Sequence, residues 1–269
     1  MKSVLALLFV VAVVAAAPRA VQTKYGFPSG RIVGGIDALP GEFPSIVSVQ
    51  RVILILSAHV CGGSILNNFW VITAAHCITE SPAGANFAIW AGTHDVSATE
   101  ATRQTISVAS HTVHPEYLGG VNPSDIAVMR MASPLTYTAF IQPITLPTVG
   151  STPTGAVTLA GWGSTGGAIP LPANILQKVS KPLITYAECE AAAGPDSPLG
   201  PTNICTGPLT GGVSACSGDS GGPLYRIVGN VHEQVGIVSW GWIPCGTVGF
   251  PSVYVGLSHY IPWVLANTD

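Results

Sequence analysis

Glycine and proline divide this 269-residue chain into short segments, because 31 glycines and 22 prolines are spread along it. Many of the segments between them are apolar and β-branched, as in FWVITAA (69–75), AVTLAGW (156–162) and QVGIVSW (234–240). Such runs, separated by turn residues, are typical of an all-β barrel or sandwich. Helical periodicity is credible mainly near the end, at 257–267. The sequence therefore predicts an all-β protein with a helix near its C-terminus.

The N-terminus has the pattern of a cleaved secretory signal. Lys2 precedes an apolar run, Val4–Ala17, which ends in three alanines and is too short to span a bilayer comfortably. No other stretch of the sequence is long and apolar enough to do so. We therefore predict a signal peptide at 1–17 and a secreted protein that does not sit in a membrane.

Six cysteines are expected to form three disulfides in that oxidising environment, although their sequence alone allows fifteen pairings. No C-x-x-C pair is present, so a metal site is disfavoured and no cofactor is predicted. The formal charge is −3, and residues 1–31 contribute four cations and no acid. The acidic remainder disfavours nucleic acid as a partner. Few lysines and arginines follow Arg31, which is consistent with a protease-rich setting such as a gut lumen.

Three side chains could together perform acyl transfer. His76 ends the apolar run VITAAH, Asp125 begins DIAV, and Ser220 lies in SACSGDSGGPL, among glycines that let a substrate approach closely. A serine needs a neighbouring base to become a good nucleophile, and a histidine oriented by a carboxylate can supply one. Taken singly, each also fits an ordinary structural role: a structural histidine, a capping aspartate or a surface turn.

Five motifs in order resemble the chymotrypsin–trypsin family of serine proteases: IVGG (32–35), TAAHC (73–77), DIAV (125–128), GDSGGP (218–223) and SWG (239–241). The resemblance implies two six-stranded antiparallel β-barrels with a C-terminal α-helix and an active site between the barrels. It places the protease domain at 32–269. The expected parts are a first barrel at about 32–139, a second at about 140–257 and a helix at about 258–267.

The resemblance also assigns roles. Ser220 would be the nucleophile, His76 the general base and Asp125 the residue that orients it. The backbone N–H groups of Gly218 and Ser220 would form the oxyanion hole. Residues 18–31 would be an activation peptide. Cleavage after Arg31 would free the Ile32 ammonium to pair with buried Asp219.

For specificity, the resemblance identifies Ser214 as the base of the primary pocket and Gly241 and Ser252 as its walls. A neutral base disfavours Lys and Arg at P1, and the open entrance favours Leu, Met, Phe or Tyr. A narrower, elastase-like preference for Ala or Val is the alternative. Ser239, Trp240 and Gly241 would pair with the substrate backbone.

Three further expectations come from the same resemblance. Thr93 and Arg103 stand where trypsins place acidic calcium ligands, so we predict no structural calcium. The apolar stretch Val52–Leu56 is either an exposed hairpin near the leaving-group side or a strand packed into the barrel. The disulfides implied by the resemblance are Cys61–Cys77, Cys189–Cys205 and Cys216–Cys245.

The predicted function is a secreted, monomeric serine endopeptidase, made as a precursor, activated by a trypsin-like protease and used in digestion. Its partners would be protein or peptide substrates and protein protease inhibitors. The alternatives are a regulatory protease of an extracellular cascade and a catalytically silent binding homologue. Retention of His76, Asp125 and Ser220 argues against the silent homologue. An esterase of the α/β-hydrolase type is disfavoured because its triad runs in the order Ser, Asp, His, whereas this chain has His76, Asp125 and then Ser220.

Overall fold

The computed structural model describes residues 32–164 and 172–269, so the predicted signal peptide and activation peptide, including Arg31, lie outside the described residues. The described chain begins with a two-residue strand, β1 (Ile36–Asp37). Six further strands form a closed antiparallel barrel: β2 (Ile46–Ile53), β3 (Leu56–Ile65), β4 (Trp70–Thr73), β5 (Asn86–Ala91), β6 (Gln104–Val113) and β7 (Ala127–Met131). Their order around this first barrel is β2-β3-β4-β7-β6-β5.

The second barrel follows in the chain and also has six antiparallel strands: β8 (Ala156–Gly161), β9 (Gln177–Ile184), β10 (Asn203–Thr206), β11 (Pro223–Val228), β12 (Val231–Gly241) and β13 (Ser252–Gly256). The strands run in the order β9-β10-β13-β12-β11-β8, and β8 pairs back with β9 to close the barrel. The predicted two-barrel fold is confirmed. The short strand β1 pairs with β9, so the start of the described chain is attached to the second barrel.

Within the described ranges, three short α-helices accompany the barrels: α1 (His76–Thr79), α2 (Tyr186–Ala193) and α3 (Ile261–Ala266). The helix α3, which follows a 3-10 turn at Leu257–His259, is the predicted C-terminal helix. The helix α2 is not predicted. Its sequence signal is the capping box TYAE, in which Thr185 and Glu188 cap each other's backbone N–H groups. None of these helices has the length and apolar character to cross a membrane.

The helix α3 ties the end of the chain to the first barrel. Its residues Ile261 and Val264 are buried in the same apolar cluster as Val71 and Met129, which come from strands β4 and β7. The chain thus leaves the second barrel at β13 and returns to cover the first. Because burial of each such side chain contributes about 1.5–3 kcal/mol, this contact helps to fix the two barrels together.

The β2–β3 hairpin projects from the first barrel. Its inner part is buried at Val47 and Val49, whereas Leu54 and Ile55 at its tip are 93% and 96% exposed. Of the two readings left open by the sequence, the exposed hairpin is therefore the one observed. The tip joins Ile53 to Leu56 through a two-residue turn, and Leu54 has φ +56°. Such a turn favours glycine where φ is positive.

Replacing Leu54 with glycine is expected to stabilise the protein. A positive φ is unfavourable for leucine by about 1–2 kcal/mol, and this side chain is too exposed to lose much packing. After the backbone-entropy cost of glycine, we expect the free energy of unfolding to rise by about 1 kcal/mol in urea denaturation. Ile55→Gly is the matched control, because Ile55 has no positive φ, and it should destabilise. Equal effects of the two changes would rule out backbone strain at Leu54.

Candidate active site

His76 and Asp125 meet at the ends of two neighbouring strands. Strands β4 and β7 pair antiparallel, with Thr73 opposite Ala127, so the segment after β4, which carries His76, lies beside the segment before β7, which carries Asp125. The His76 ring Nδ1 is 2.7 Å from Asp125 Oδ2, and the His76 backbone N–H donates to Asp125 Oδ1 at 2.9 Å. Both residues are buried. The carboxylate therefore fixes the position and the tautomer of the imidazole, leaving Nε2 as its proton acceptor.

A third donor to this carboxylate comes from the second barrel. The Ser239 hydroxyl donates to Asp125 Oδ2 at 2.6 Å. The register of β12 against β13 shifts between Val238 and Trp240, so Ser239 is the extra residue of a β-bulge. A bulge redirects a side chain, which explains how a strand residue contacts the other barrel. The sequence predicts Ser239 as a backbone-binding residue only and misses this side-chain contact.

Ser220 lies in the turn before β11 and is 4% exposed. It lines the same pocket as His76, a shallow cavity of about 210 Å³ that the Cys61–Cys77 disulfide also borders. The Ser220 carbonyl accepts a hydrogen bond from the Gly62 N–H at 2.8 Å, which joins the turn to the first barrel. The structure thus brings all three predicted triad residues to the junction of the barrels.

The backbone around Ser220 has two uncommitted donors. The N–H groups of Asp219, Gly221 and Gly222 each donate to a carbonyl, whereas in the described part of the chain those of Gly218 and Ser220 have no acceptor. Gly218 has φ +92°, a conformation that a side chain would strain. Both residues line the pocket. This arrangement leaves a pair of N–H groups able to bind a negatively charged oxygen.

His59 is a half-buried neighbour of the site that the sequence does not identify. Its Nε2 is 2.9 Å from the Gly218 carbonyl oxygen, and its Nδ1 is 2.6 Å from the Ser48 hydroxyl. Burial lowers the pKa of His59 to about 4, so the ring is neutral at pH 7. Nε2–H then donates to Gly218 and Nδ1 accepts from Ser48. His59 consequently holds the Gly218 peptide against the first barrel.

Asp219 is fully buried beside the nucleophile position. Its two carboxylate oxygens accept from the N–H groups of Gly163 and Cys216, each at 2.9 Å. Burial raises the pKa of Asp219 to about 7 in spite of these bonds. A Cβ on Gly163 would lie 2.3 Å from the carboxyl carbon, so only glycine leaves room for it. Among the described residues no cation lies within ion-pair distance of Asp219.

The N-terminal segment packs into the second barrel near this carboxylate. Ile32 is fully buried in an apolar cluster with Leu159 and Val238. The Val33 N–H donates to the Ser214 carbonyl at 2.9 Å, and the Ser214 N–H donates back to Val33 at 3.3 Å. The segment that would begin the cleaved chain is therefore attached to the predicted base of the primary pocket.

The residues predicted to form that pocket lie together. The Ser214 and Ser252 hydroxyl oxygens are 3.1 Å apart, and Gly241 is opposite Ser252 in the β12–β13 pairing. A Cβ on Gly241 would meet no heavy atom closer than 3.9 Å, so the space beside it is open. Lys181, which the sequence does not identify, donates from Nζ to the Ser252 hydroxyl at 2.8 Å. Trp240 is buried and packs on Trp242, with ring centroids 5.1 Å apart.

The three disulfides are the pairs that the resemblance implies: Cys61–Cys77, Cys189–Cys205 and Cys216–Cys245. The first encloses the His76 turn, and the third joins the segment before Ser220 to the segment before β13. Cys61, His76 and Cys77 are close enough to resemble a metal site. Their two sulfurs are already bonded to each other, however, so this cluster offers no thiolate to a metal.

The loop compared with the trypsin calcium loop does not fit a calcium ion. The Glu100 carboxylate already accepts from the Thr93 hydroxyl and from the N–H groups of His94 and Asp95. The Arg103 guanidinium donates to the Ala98 carbonyl at 2.8 Å, and so brings a positive charge into the loop. Calcium requires six to eight oxygen ligands. The absence of structural calcium remains a prediction that this geometry favours.

Comparisons with known proteins agree with this geometry. The sequence profile of the family described as Trypsin matches residues 32–264. Trypsin-1 of Astacus astacus is 40% identical over 242 residues, covering 88% of this chain and 99% of that protein. Lectizyme of Glossina austeni is 40% identical over 94% of this chain and 92% of its own length. Ovochymase-2 of Mus musculus is 35% identical over 88% of this chain, which spans 41% of that protein. The chain therefore belongs to the trypsin family of serine endopeptidases.

Proposed function

We propose that this trypsin-family protease is a secreted endopeptidase, made as an inactive precursor, which cuts peptide bonds after apolar P1 residues. The observation that carries the proposal is that His76, which contacts buried Asp125, lines the same pocket as Ser220. Secretion rests on the signal pattern at 1–17, and a digestive role in a gut lumen rests on the scarcity of lysine and arginine.

In the proposed mechanism, Ser220 Oγ attacks the scissile carbonyl carbon and His76 Nε2 takes its proton. The charged imidazole is stabilised by Asp125, which accepts the Nδ1 hydrogen bond. His76 then gives the proton to the leaving amine, and an acyl group remains on Ser220. Water repeats the same steps to release the acid. The free N–H groups of Gly218 and Ser220 bind the oxyanion in both halves.

Activation is proposed to begin with cleavage between Arg31 and Ile32 by a trypsin-like protease. The new Ile32 ammonium would pair with Asp219, a buried carboxylate that otherwise has only backbone donors. A buried charge without a partner is unfavourable by several kcal/mol, so the pair stabilises the active arrangement of residues 216–220. The burial of Ile32 beside the second-barrel core supports this route.

A preference for Leu, Met, Phe or Tyr at P1 follows from the proposed pocket. Ser214 at its base carries no negative charge to meet a lysine or arginine side chain, so trypsin-like specificity is disfavoured although one relative is named Trypsin-1. Gly241 leaves the entrance open. Ser252 narrows the pocket relative to a glycine, which keeps an elastase-like preference for Ala or Val as the second candidate.

The main experiment treats the purified precursor with a trace of trypsin and measures kcat/KM on peptides with Phe, Leu, Ala or Arg at P1. Activity on Phe and Leu should appear together with a chain that begins at Ile32. The precursor variant Arg31→Gln should stay uncut and inactive under the same treatment. A preference for Ala would favour the elastase-like alternative. A correctly cut but inactive chain would favour a silent binding homologue. An active enzyme that cleaves only one particular protein sequence would favour a cascade protease.

A further inference from the structure

Lys181 places a buried ammonium behind the primary pocket. The residue lies on β9, is 1% exposed, and donates from Nζ to the Ser252 hydroxyl at 2.8 Å. Burial lowers the pKa of this lysine to about 7, while the negative charge of Asp219 acts in the opposite direction. An ammonium has three donors and is rarely buried without an acidic partner. The position therefore needs an explanation beyond packing.

No carboxylate within the described ranges lies at ion-pair distance from Lys181. The ion pairs found there are His76–Asp125, Lys178–Glu42 and Arg226–Glu233. The acid that influences Lys181 most is Asp219. Under the proposed function, the Ile32 ammonium takes Asp219 as its own partner after cleavage. Lys181 would then be the remaining unmatched cation of the pocket region.

Hydroxyl groups connect the ammonium to the pocket. Ser252 Oγ accepts from Lys181 and from the Ala215 N–H at 3.2 Å, so its own proton is available to Ser214, 3.1 Å away. The Ser214 hydroxyl in turn donates to the Ala215 carbonyl at 2.7 Å. Both serines belong to the proposed pocket floor. Their hydroxyls are polarised by the ammonium and can turn to donate to an anionic group.

We propose that Lys181 is a specificity-determining residue that lets the primary pocket accept acidic P1 side chains, Glu and Asp, in addition to apolar ones. The inference rests on the proposed function, because it takes Ser214 and Ser252 as the pocket floor. A P1 carboxylate would accept from the two serine hydroxyls and supply the counter-charge that the buried ammonium lacks. A P1 lysine or arginine would meet the like charge of Lys181, which adds to the disadvantage of the neutral Ser214 at the pocket base.

The test compares peptides that differ only at P1, with Leu, Gln or Glu, on the activated protein and on Lys181→Met. Glu and Gln have the same shape, so their kcat/KM ratio reports charge. We expect Glu to be cleaved at least as well as Gln by the unmodified enzyme. In Lys181→Met the Glu/Gln ratio should fall by about tenfold or more. Lys178→Met, on the same strand but paired with Glu42, should leave the ratio unchanged.

A pH series on the unmodified enzyme gives a second test that needs no variant. The charge that acts on Lys181 is that of Asp219, and in the activated protein the proposed Ile32 ammonium would face the same carboxylate. Tyr254, which interacts with Ser252, has a pKa that burial raises well above this pH range. As the pH rises through about 7, Lys181 loses its proton. Cleavage after Glu should then fall relative to cleavage after Leu, in the same reaction mixture.

The outcomes separate the two proposals. Cleavage after Leu with a Glu/Gln ratio that is low and insensitive to both Lys181→Met and pH would overturn the role of Lys181 and leave the proposed protease intact. No cleavage of any peptide by a chain that begins at Ile32 would overturn the proposed function and this inference with it. A Glu/Gln ratio that falls equally in Lys178→Met would assign the effect to overall charge and overturn the inference.

Discussion

Replacing Ser220 with alanine is expected to lower kcat/KM on the preferred P1 peptide by about a million-fold. The change removes the proposed nucleophile, and neither His76 nor a water molecule in the same pocket can form the acyl-enzyme in its place. The residual rate should still exceed that of the uncatalysed reaction, because the free Gly218 N–H and substrate binding remain. The measurement is steady-state hydrolysis at high enzyme concentration.

The control for this experiment is Ser217→Ala. Ser217 lines the same pocket as Ser220, so each variant removes one serine hydroxyl from that pocket. Ser217→Ala should change kcat/KM by less than about tenfold, consistent with a group that takes no part in bond making. Both variants should unfold at the temperature of the unmodified protein within a few degrees. Comparable losses in the two, or a loss below a hundredfold in Ser220→Ala, would contradict the assignment.

Asp125→Asn is expected to lower kcat by about ten-thousand-fold at neutral pH. Asp125 accepts three hydrogen bonds, from the His76 ring, the His76 N–H and the Ser239 hydroxyl. An asparagine at position 125 replaces one acceptor oxygen by an NH2 group, which donates to His76 Nδ1. This favours the imidazole tautomer with the proton on Nε2. That tautomer cannot accept the proton of Ser220.

Ser239→Ala is the matched comparison for Asp125→Asn. It removes one of the three donors but leaves the carboxylate and the tautomer in place, so the loss in kcat should be much smaller, about tenfold. Binding of a peptide aldehyde, measured with the same proteins, separates chemistry from folding. Equal losses in the two variants would mean that Asp125 acts through packing alone, which would contradict its role in orienting His76.

The two barrels could be predicted because their signal is local and repeated. Short β-branched runs such as AVTLAGW and SVYVGL became strands β8 and β13, and turn residues separate them. The triad residues were predicted from motifs of a known family, because the spacing of residues 76, 125 and 220 along the chain does not show that they meet in space. Their convergence depends on which strands are neighbours, such as β4 and β7.

Lys181 and His59 could not be predicted for a different reason. A lysine in QKVSKPLI and a histidine in LSAHV both read as ordinary strand residues, and lysine is most often exposed. Their positions are fixed by partners distant in sequence: Ser252 for buried Lys181 and Gly218 for half-buried His59. The same is true of the Ser239 contact, which requires a bulge that no local pattern announces.

The most direct test of the central claim is covalent labelling of the nucleophile. The intact precursor and the trypsin-treated protein are each incubated with a fluorophosphonate probe, and the modified residue is located by peptide mass spectrometry. The account predicts one adduct, on Ser220, in chains that begin at Ile32, and little or none in the intact precursor or in Asp125→Asn. A fully cut chain that stays unlabelled at Ser220, or carries the label on another serine, would contradict it.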